Sequence, residues 1–135
     1  MYLNDFKREY TINSLEELNE LLLKRYTHNA NYFILTFQDE GFPQLTAFVK
    51  ANEAVLYYLD TTESFISEST TKTDTTAIFY ENEYSQIFLP KANILPITDF
   101  YKAAELFFIT KSKPININWT ALYNNISKKM AYNQK

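Results

Sequence analysis

Cysteine is missing from all 135 residues, and glycine occurs once, at Gly41. The first absence excludes disulfides, thiolate nucleophiles and thiolate metal ligands, and it permits a reducing compartment. The second excludes a Gly-rich phosphate loop and leaves Asn and Asp to form most tight turns. His28 is the single histidine. It lacks the second ligand or orienting group that a metal or catalytic site needs, and it reads as a cation near the C-terminal end of a helix. Neither an HExxH pattern nor an EF-hand loop occurs, so no metal, cofactor or catalytic set is expected. The opening MYLNDFKREY has no apolar core after a basic start, and no apolar run approaches the ~20 residues of a membrane span. A cytoplasmic chain with no membrane partner is expected. A net charge of −3 lacks the basic excess of a protein that binds nucleic acid directly.

What remains is a well-supplied core. The length suits one domain over residues 1–135, able to bury roughly two thirds of the surface of its unfolded chain. With 46% hydrophobic residues the chain is too apolar to stay disordered. Eleven Tyr accompany eleven Phe, and Tyr serves equally in a core and on a wet contact surface.

The order of elements predicts an α+β fold: an antiparallel meander with an N-terminal helix and a second amphipathic helix packed on the sheet. A short extended segment comes first. Ser14-Leu15-Glu16-Glu17 is then a capping box, opening a helix to about Tyr26 with Leu15, Leu18, Leu22 and Tyr26 on one face. Strands follow at Asn31–Gln38, Gln44–Lys50 and Ala54–Asp60, joined by short turns. Thr61–Thr76 is rich in Ser and Thr and reads as a long connection. It is either simply mobile or a binding loop, with Phe65-Ile66 favouring a loop that docks. Strands resume at Ala77–Tyr80 and Ser85–Leu89 around an Asn82-Glu83 turn. Thr98 is the expected cap of the second helix, whose Phe100, Ala103, Ala104, Phe107 and Phe108 form a wide apolar stripe. Pro114 stops it, and Ile115–Trp119 alternates as a half-buried strand does. Residues 120–135 form a polar tail, with a weak helical turn expected through Leu122, Ile126 and Met130.

The stretch Leu89–Trp119, LPKANILPITDFYKAAELFFITKSKPININW, resembles the C-terminal signature of immunity protein family one of bacterial polymorphic toxin systems. Pro90 and Pro96 match its approach to the helix, Ala103, Ala104 and Phe107-Phe108 the helix, and Thr110 the helix end. Lys113-Pro114 stands at its basic-Pro pair, and Ile117 and Trp119 in its strand. The chain departs from the pattern at Lys111, where the family has glycine. A left-handed cap there strains lysine, which predicts a rebuilt turn. The basic position is lysine rather than arginine.

The resemblance implies a protein that binds and neutralises a cognate toxin domain, with nucleic-acid deaminases and nucleases among the toxins, as a monomer or as a heterodimer with that toxin. A toxin acting on nucleic acid carries a positive groove, so an acidic face suits its inhibitor. The candidate contact residues are Glu63, Phe65, Glu68 and Asp74 on the long connection and Glu81, Glu83 and Tyr84 beside the next turn, with Phe65 or Tyr84 as buried anchor. Tyr57 and Tyr58 are weaker candidates, since alternation sends one of them inward. Two other classes fit the composition: an adaptor or secretion chaperone for an extended segment, and a small α+β enzyme using a carboxylate pair drawn from Asp60, Glu81 and Glu83.

Overall fold

In the computed structural model, which describes residues 1–37 and 41–122, Ser14 caps the first helix as expected. Its Oγ accepts the Glu17 N–H at 3.2 Å, while the Glu17 carboxylate accepts the Asn13 N–H at 3.4 Å. The helix, α1, spans Leu15–Leu22, four residues short of the expected limit at Tyr26. Its last carbonyls are taken by side chains. Arg25 Nη1 donates to Leu22 O at 2.9 Å, and Nδ2 of the buried Asn31 donates to Lys24 O at 2.9 Å. The Tyr26 N–H turns instead to Ala30 O. His28 and Asn29, at φ 66° and 54°, complete the turn in the left-handed region that His and Asn enter more readily than most residues.

The strands are β1 (Tyr2–Asn4), β2 (Glu9–Thr11), β3 (Ala30–Thr36), β4 (Gln44–Lys50), β5 (Glu53–Leu59), β6 (Ser64–Glu68), β7 (Thr76–Tyr80), β8 (Gln86–Pro90), β9 (Leu95–Pro96) and β10 (Asn118–Ala121), with α2 at Ile97–Thr110. The fold is α+β, as the sequence predicts. The main sheet runs β10-β6-β5-β4-β3-β1-β2, with β9 paired to β5, and β7 and β8 form a separate ribbon. Strict alternation along the central strands gives the sheet two buried faces. Phe33, Leu35, Leu45, Ala47, Val49, Leu56 and Tyr58 join Leu18 and Leu22 of α1 and Phe100, Ala103, Ala104 and Phe107 of α2 in one core. Phe48, Val55 and Ile66, with half-buried Tyr32 and Tyr57, pack on Phe79 and Leu89 of the ribbon on the other side.

Four expectations need correcting. The Ser/Thr-rich connection contains a strand, β6. Phe65 and Ile66 point to opposite faces and both find a core, and Phe65 pairs with Tyr58 of β5 and Ala121 of β10. The strand expected at Ile115–Trp119 begins only at Asn118. Asn118 pairs with Glu68, the last residue of β6, and the Ser69 N–H turns away to Ala92 O. Ile115 to Ile117 therefore have no neighbouring strand, and Ile115 is 90% exposed. The sheet instead continues to Ala121, so Thr120 and Ala121 do not belong to a tail. The Leu122 N–H bonds Ser64 O, and Ile126 and Met130 lie outside the described residues. Finally, α2 begins at Ile97 after Pro96 rather than being capped by Thr98. Leu95 and Pro96 are held as a strand against Ala54 and Glu53, and the Ile97 N–H bonds Asn52 O, which fixes the start before Thr98 is reached.

At the other end of α2 the turn is not rebuilt. Lys111 takes the left-handed cap itself, at φ 57° and ψ 28°, and its N–H bonds Phe107 O. Its ammonium lies 5.1 Å from the centre of the Phe37 ring, a contact that offsets part of the backbone cost. Lys111→Gly removes a Cβ from a region that disfavours it by about 1–2 kcal/mol. The expected result is a gain in unfolding free energy of about 0.5–1 kcal/mol once the lost ring contact is deducted, read from the urea midpoint.

Candidate functional site

The ribbon of β7 and β8 packs on the sheet through Phe79 and Leu89 and leaves Gln86 and Phe88 exposed. Its register pairs Ala77 with Leu89 and Phe79 with Ile87, which pack toward the sheet, and Ile78 with Phe88 and Tyr80 with Gln86, of which Phe88 and Gln86 are exposed, Ile78 is half-buried and Tyr80 is buried. Phe88 is 61% exposed and Tyr84, in the turn, 93%.

The turn is nonetheless firmly held. Asn82 Oδ1 accepts the Tyr84 N–H at 2.8 Å, and the Glu81 N–H bonds Ser85 O at 3.0 Å. The Glu83 carboxylate pairs with the Lys7 ammonium and accepts the Thr27 hydroxyl at 3.2 Å. Lys7 is itself placed by an Asx turn, in which Asp5 Oδ1 accepts the Lys7 and Arg8 N–H groups. Asp5 also accepts the Tyr26 hydroxyl at 2.9 Å, and burial together with that carboxylate pushes the Tyr26 phenol well above its ordinary value. Next to the turn, His28 stacks on Tyr80 with ring centres 4.2 Å apart, and Lys50 lies over the same ring. His28 thus has a packing role beyond its place after the helix.

Lys7 and Thr27 hold the Glu83 carboxyl below its ordinary value of 4.5. A depressed carboxylate contributes stability above its unfolded pKa and loses it as pH falls through its folded pKa. At neutral pH, Glu83→Gln is therefore expected to speed amide exchange at Glu81 several-fold. The difference from the natural protein should vanish in acid below the usual carboxylate range, where both side chains are uncharged. An equal difference at both pH values would show that the ion pair is not what holds the turn.

The other candidate residues are spread rather than gathered. Glu63 is exposed in the β5–β6 turn, and Glu68 is exposed at the far end of β6, about 16 Å away at strand spacing. Asp74 is exposed in the connection leading to β7. Phe65 is half-buried on β6, against Tyr58 and beneath the Lys113 ammonium at 3.8 Å, so most of its apolar surface is already covered. Glu81 is exposed beside Tyr84. Of the two weaker candidates, Tyr58 is in the helix-side core and Tyr57 is half-buried on the ribbon side. Asp60 caps the β5–β6 turn by accepting the Thr61 N–H, at the end of the sheet opposite the ribbon turn with Glu81 and Glu83. Asp60 is thus kept apart from Glu81 and Glu83, and Glu83 is engaged by Lys7. Glu68 and Asp99 do border one cleft, about 290 Å³, between β6, β9 and the start of α2. It is an open surface groove. Phe88 and Ile78 were not singled out from the sequence, although alternation within Ser85–Leu89 already sets Phe88 opposite Ile87 and Leu89.

The sheet buries both of its faces, one under the helices and the other under the ribbon, and the candidate acids Glu63, Glu68, Asp74 and Glu81 stand exposed at turns and strand ends. The chain belongs to a family of toxin immunity proteins. Over 123 residues it is 38% identical to the double-stranded DNA deaminase immunity protein of Burkholderia cenocepacia strain H111, an alignment covering 90% of this chain and 100% of that relative. No model of a known family matches the chain. Among the described residues no helix is long and apolar enough to cross a membrane.

Proposed function

We propose that this protein neutralises a toxin domain that deaminates double-stranded DNA, by binding it in the cytoplasm as a one-to-one complex and with no turnover of its own. The observation that supports this reading most is the full-length similarity to a relative bearing that name. A deaminase acting on duplex DNA needs a cationic surface for the phosphates. The exposed carboxylates of Glu63, Glu68, Asp74 and Glu81, distributed over several rims, complement such a surface and raise the rate of encounter more than they slow escape. Glu83 serves the turn through Lys7, and Phe65 serves the core, which leaves Tyr84 as the apolar anchor. Free toxin must stay vanishingly scarce, so the affinity is nanomolar or tighter, about −12 kcal/mol. An interface of ~1,600 Å² with a few buried anchors supplies that.

The charge assignment has its own test. Reversing Glu63, Glu68, Asp74 and Glu81 together to Lys should slow association at least about tenfold at low salt and flatten its salt dependence, with dissociation little changed. An association rate equal to that of the natural protein would remove the acidic rims from the account.

A further inference from the structure

We propose that the toxin domain adds an extended segment to the open edge of β8, so that the ribbon becomes a three-stranded sheet across the interface. This rests on the immunity reading above and specifies its contact surface.

The hydrogen-bond phase of the ribbon fixes which backbone groups are free. The Glu81 N–H bonds Ser85 O at 3.0 Å, and the Lys91 N–H bonds Thr75 O at 2.9 Å. In an antiparallel pair the mutually bonded partners alternate with unbonded ones, so 79/87 and 77/89 are bonded while 78/88 and 80/86 are not. The N–H and C=O groups of Gln86 and Phe88 therefore point away from β7. Among the described residues neither N–H has a backbone or side-chain partner. The ribbon is a sheet of two strands, so each has one unpaired edge; that of β7 lies nearer β4 and β3, which leaves that of β8 the more open to a partner.

Edges of this kind are normally shortened or charged, because a row of unpaired backbone groups invites pairing with another chain. The other outer edges follow that rule better. β2 has three residues and carries Glu9, and β10 has four. β8 has five residues, Gln86-Ile87-Phe88-Leu89-Pro90, with no charge among them; Pro90 closes its last position, and the N–H and C=O groups of Gln86 and Phe88 are left open. Exposed Phe88 stands on it and exposed Tyr84 precedes it. An uncharged edge flanked by two exposed aromatics, on a turn already held rigid through Glu83 and Lys7, has the features of strand addition: backbone bonds give affinity, and alternate side chains give selectivity.

The test uses this protein and a catalytically inactivated form of the toxin domain that it is proposed to neutralise. Amide exchange at Gln86 and Phe88, fast in the free protein, should slow at least about tenfold in the complex. Gln86→Pro, which removes one outward N–H and no bond of the ribbon, should weaken Kd about tenfold or more. Thr76→Pro, removing an outward N–H from β7, should leave Kd unchanged. If the complex forms while Gln86 and Phe88 exchange as fast as in the free protein, the edge is not the site and the immunity reading stands. If no complex forms at micromolar concentration, the immunity reading fails and the edge proposal falls with it. Should Gln86→Pro not fold, the exchange comparison on the natural protein decides by itself.

Discussion

Phe107→Ala should lower the unfolding free energy by about 3–5 kcal/mol, the usual cost of deleting a fully buried aromatic and leaving its cavity. Phe107 is fully buried at the junction where α2 meets the sheet. Its ring lies 5.1 Å from that of Phe37 and 6.2 Å, edge-on, from that of Tyr58, and Tyr58 in turn contacts Trp119. No neighbour can move in without uncovering another ring, so little of the cavity can close. Since a domain of this size is stable by only about 5–15 kcal/mol, the variant should unfold in far less urea than the natural protein. A loss below about 1 kcal/mol would mean that α2 is not anchored on the sheet through this residue.

Tyr84→Ala combined with Phe88→Ala should have the opposite signature: toxin affinity falls about a hundredfold or more while the urea midpoint stays within error. Both side chains are largely exposed, so removing them takes little from the folded state. At an interface, aromatic anchors of this kind carry about 2 kcal/mol or more each, and two such losses correspond to a factor of at least several hundred. Equilibrium titration against the toxin domain reads the first quantity and urea denaturation the second. An unchanged Kd would place the contact surface elsewhere on the scaffold.

The architecture was readable where one residue property decided the outcome. Ser14 with Glu17 announces α1, and the 100/103/104/107 spacing announces the buried face of α2. The pattern of Gln44–Lys50 is the strand that forms, with the same limits. Readings failed where a partner decided. β6 is hidden by its Ser- and Thr-rich flanks, and it is a strand because β5 and β10 both receive it. Ile115 and Ile117 alternate like strand residues, but β6 turns away before reaching them. Thr98 looks like a cap, yet pairing of Pro96 with Glu53 starts the helix two residues sooner. Lys111 keeps the left-handed cap because Phe107 O is there to accept its N–H. The candidate surface was readable only in part. The acids and Tyr84 stand out by type, but nothing local reveals that Glu83 is spent on Lys7, 76 positions away in the chain, or that Phe65 faces the helix-side core. The open edge of β8 is a property of the ribbon's hydrogen-bond phase, which the order of residues does not display.

The proposed inhibition works by stoichiometric binding. The most direct measurement adds this protein in increasing amounts to its proposed partner, a toxin domain that deaminates duplex DNA, and follows the deamination. Activity should fall linearly and reach zero at one equivalent, with no effect on an unrelated deaminase. Undiminished deamination at a tenfold excess would contradict the account.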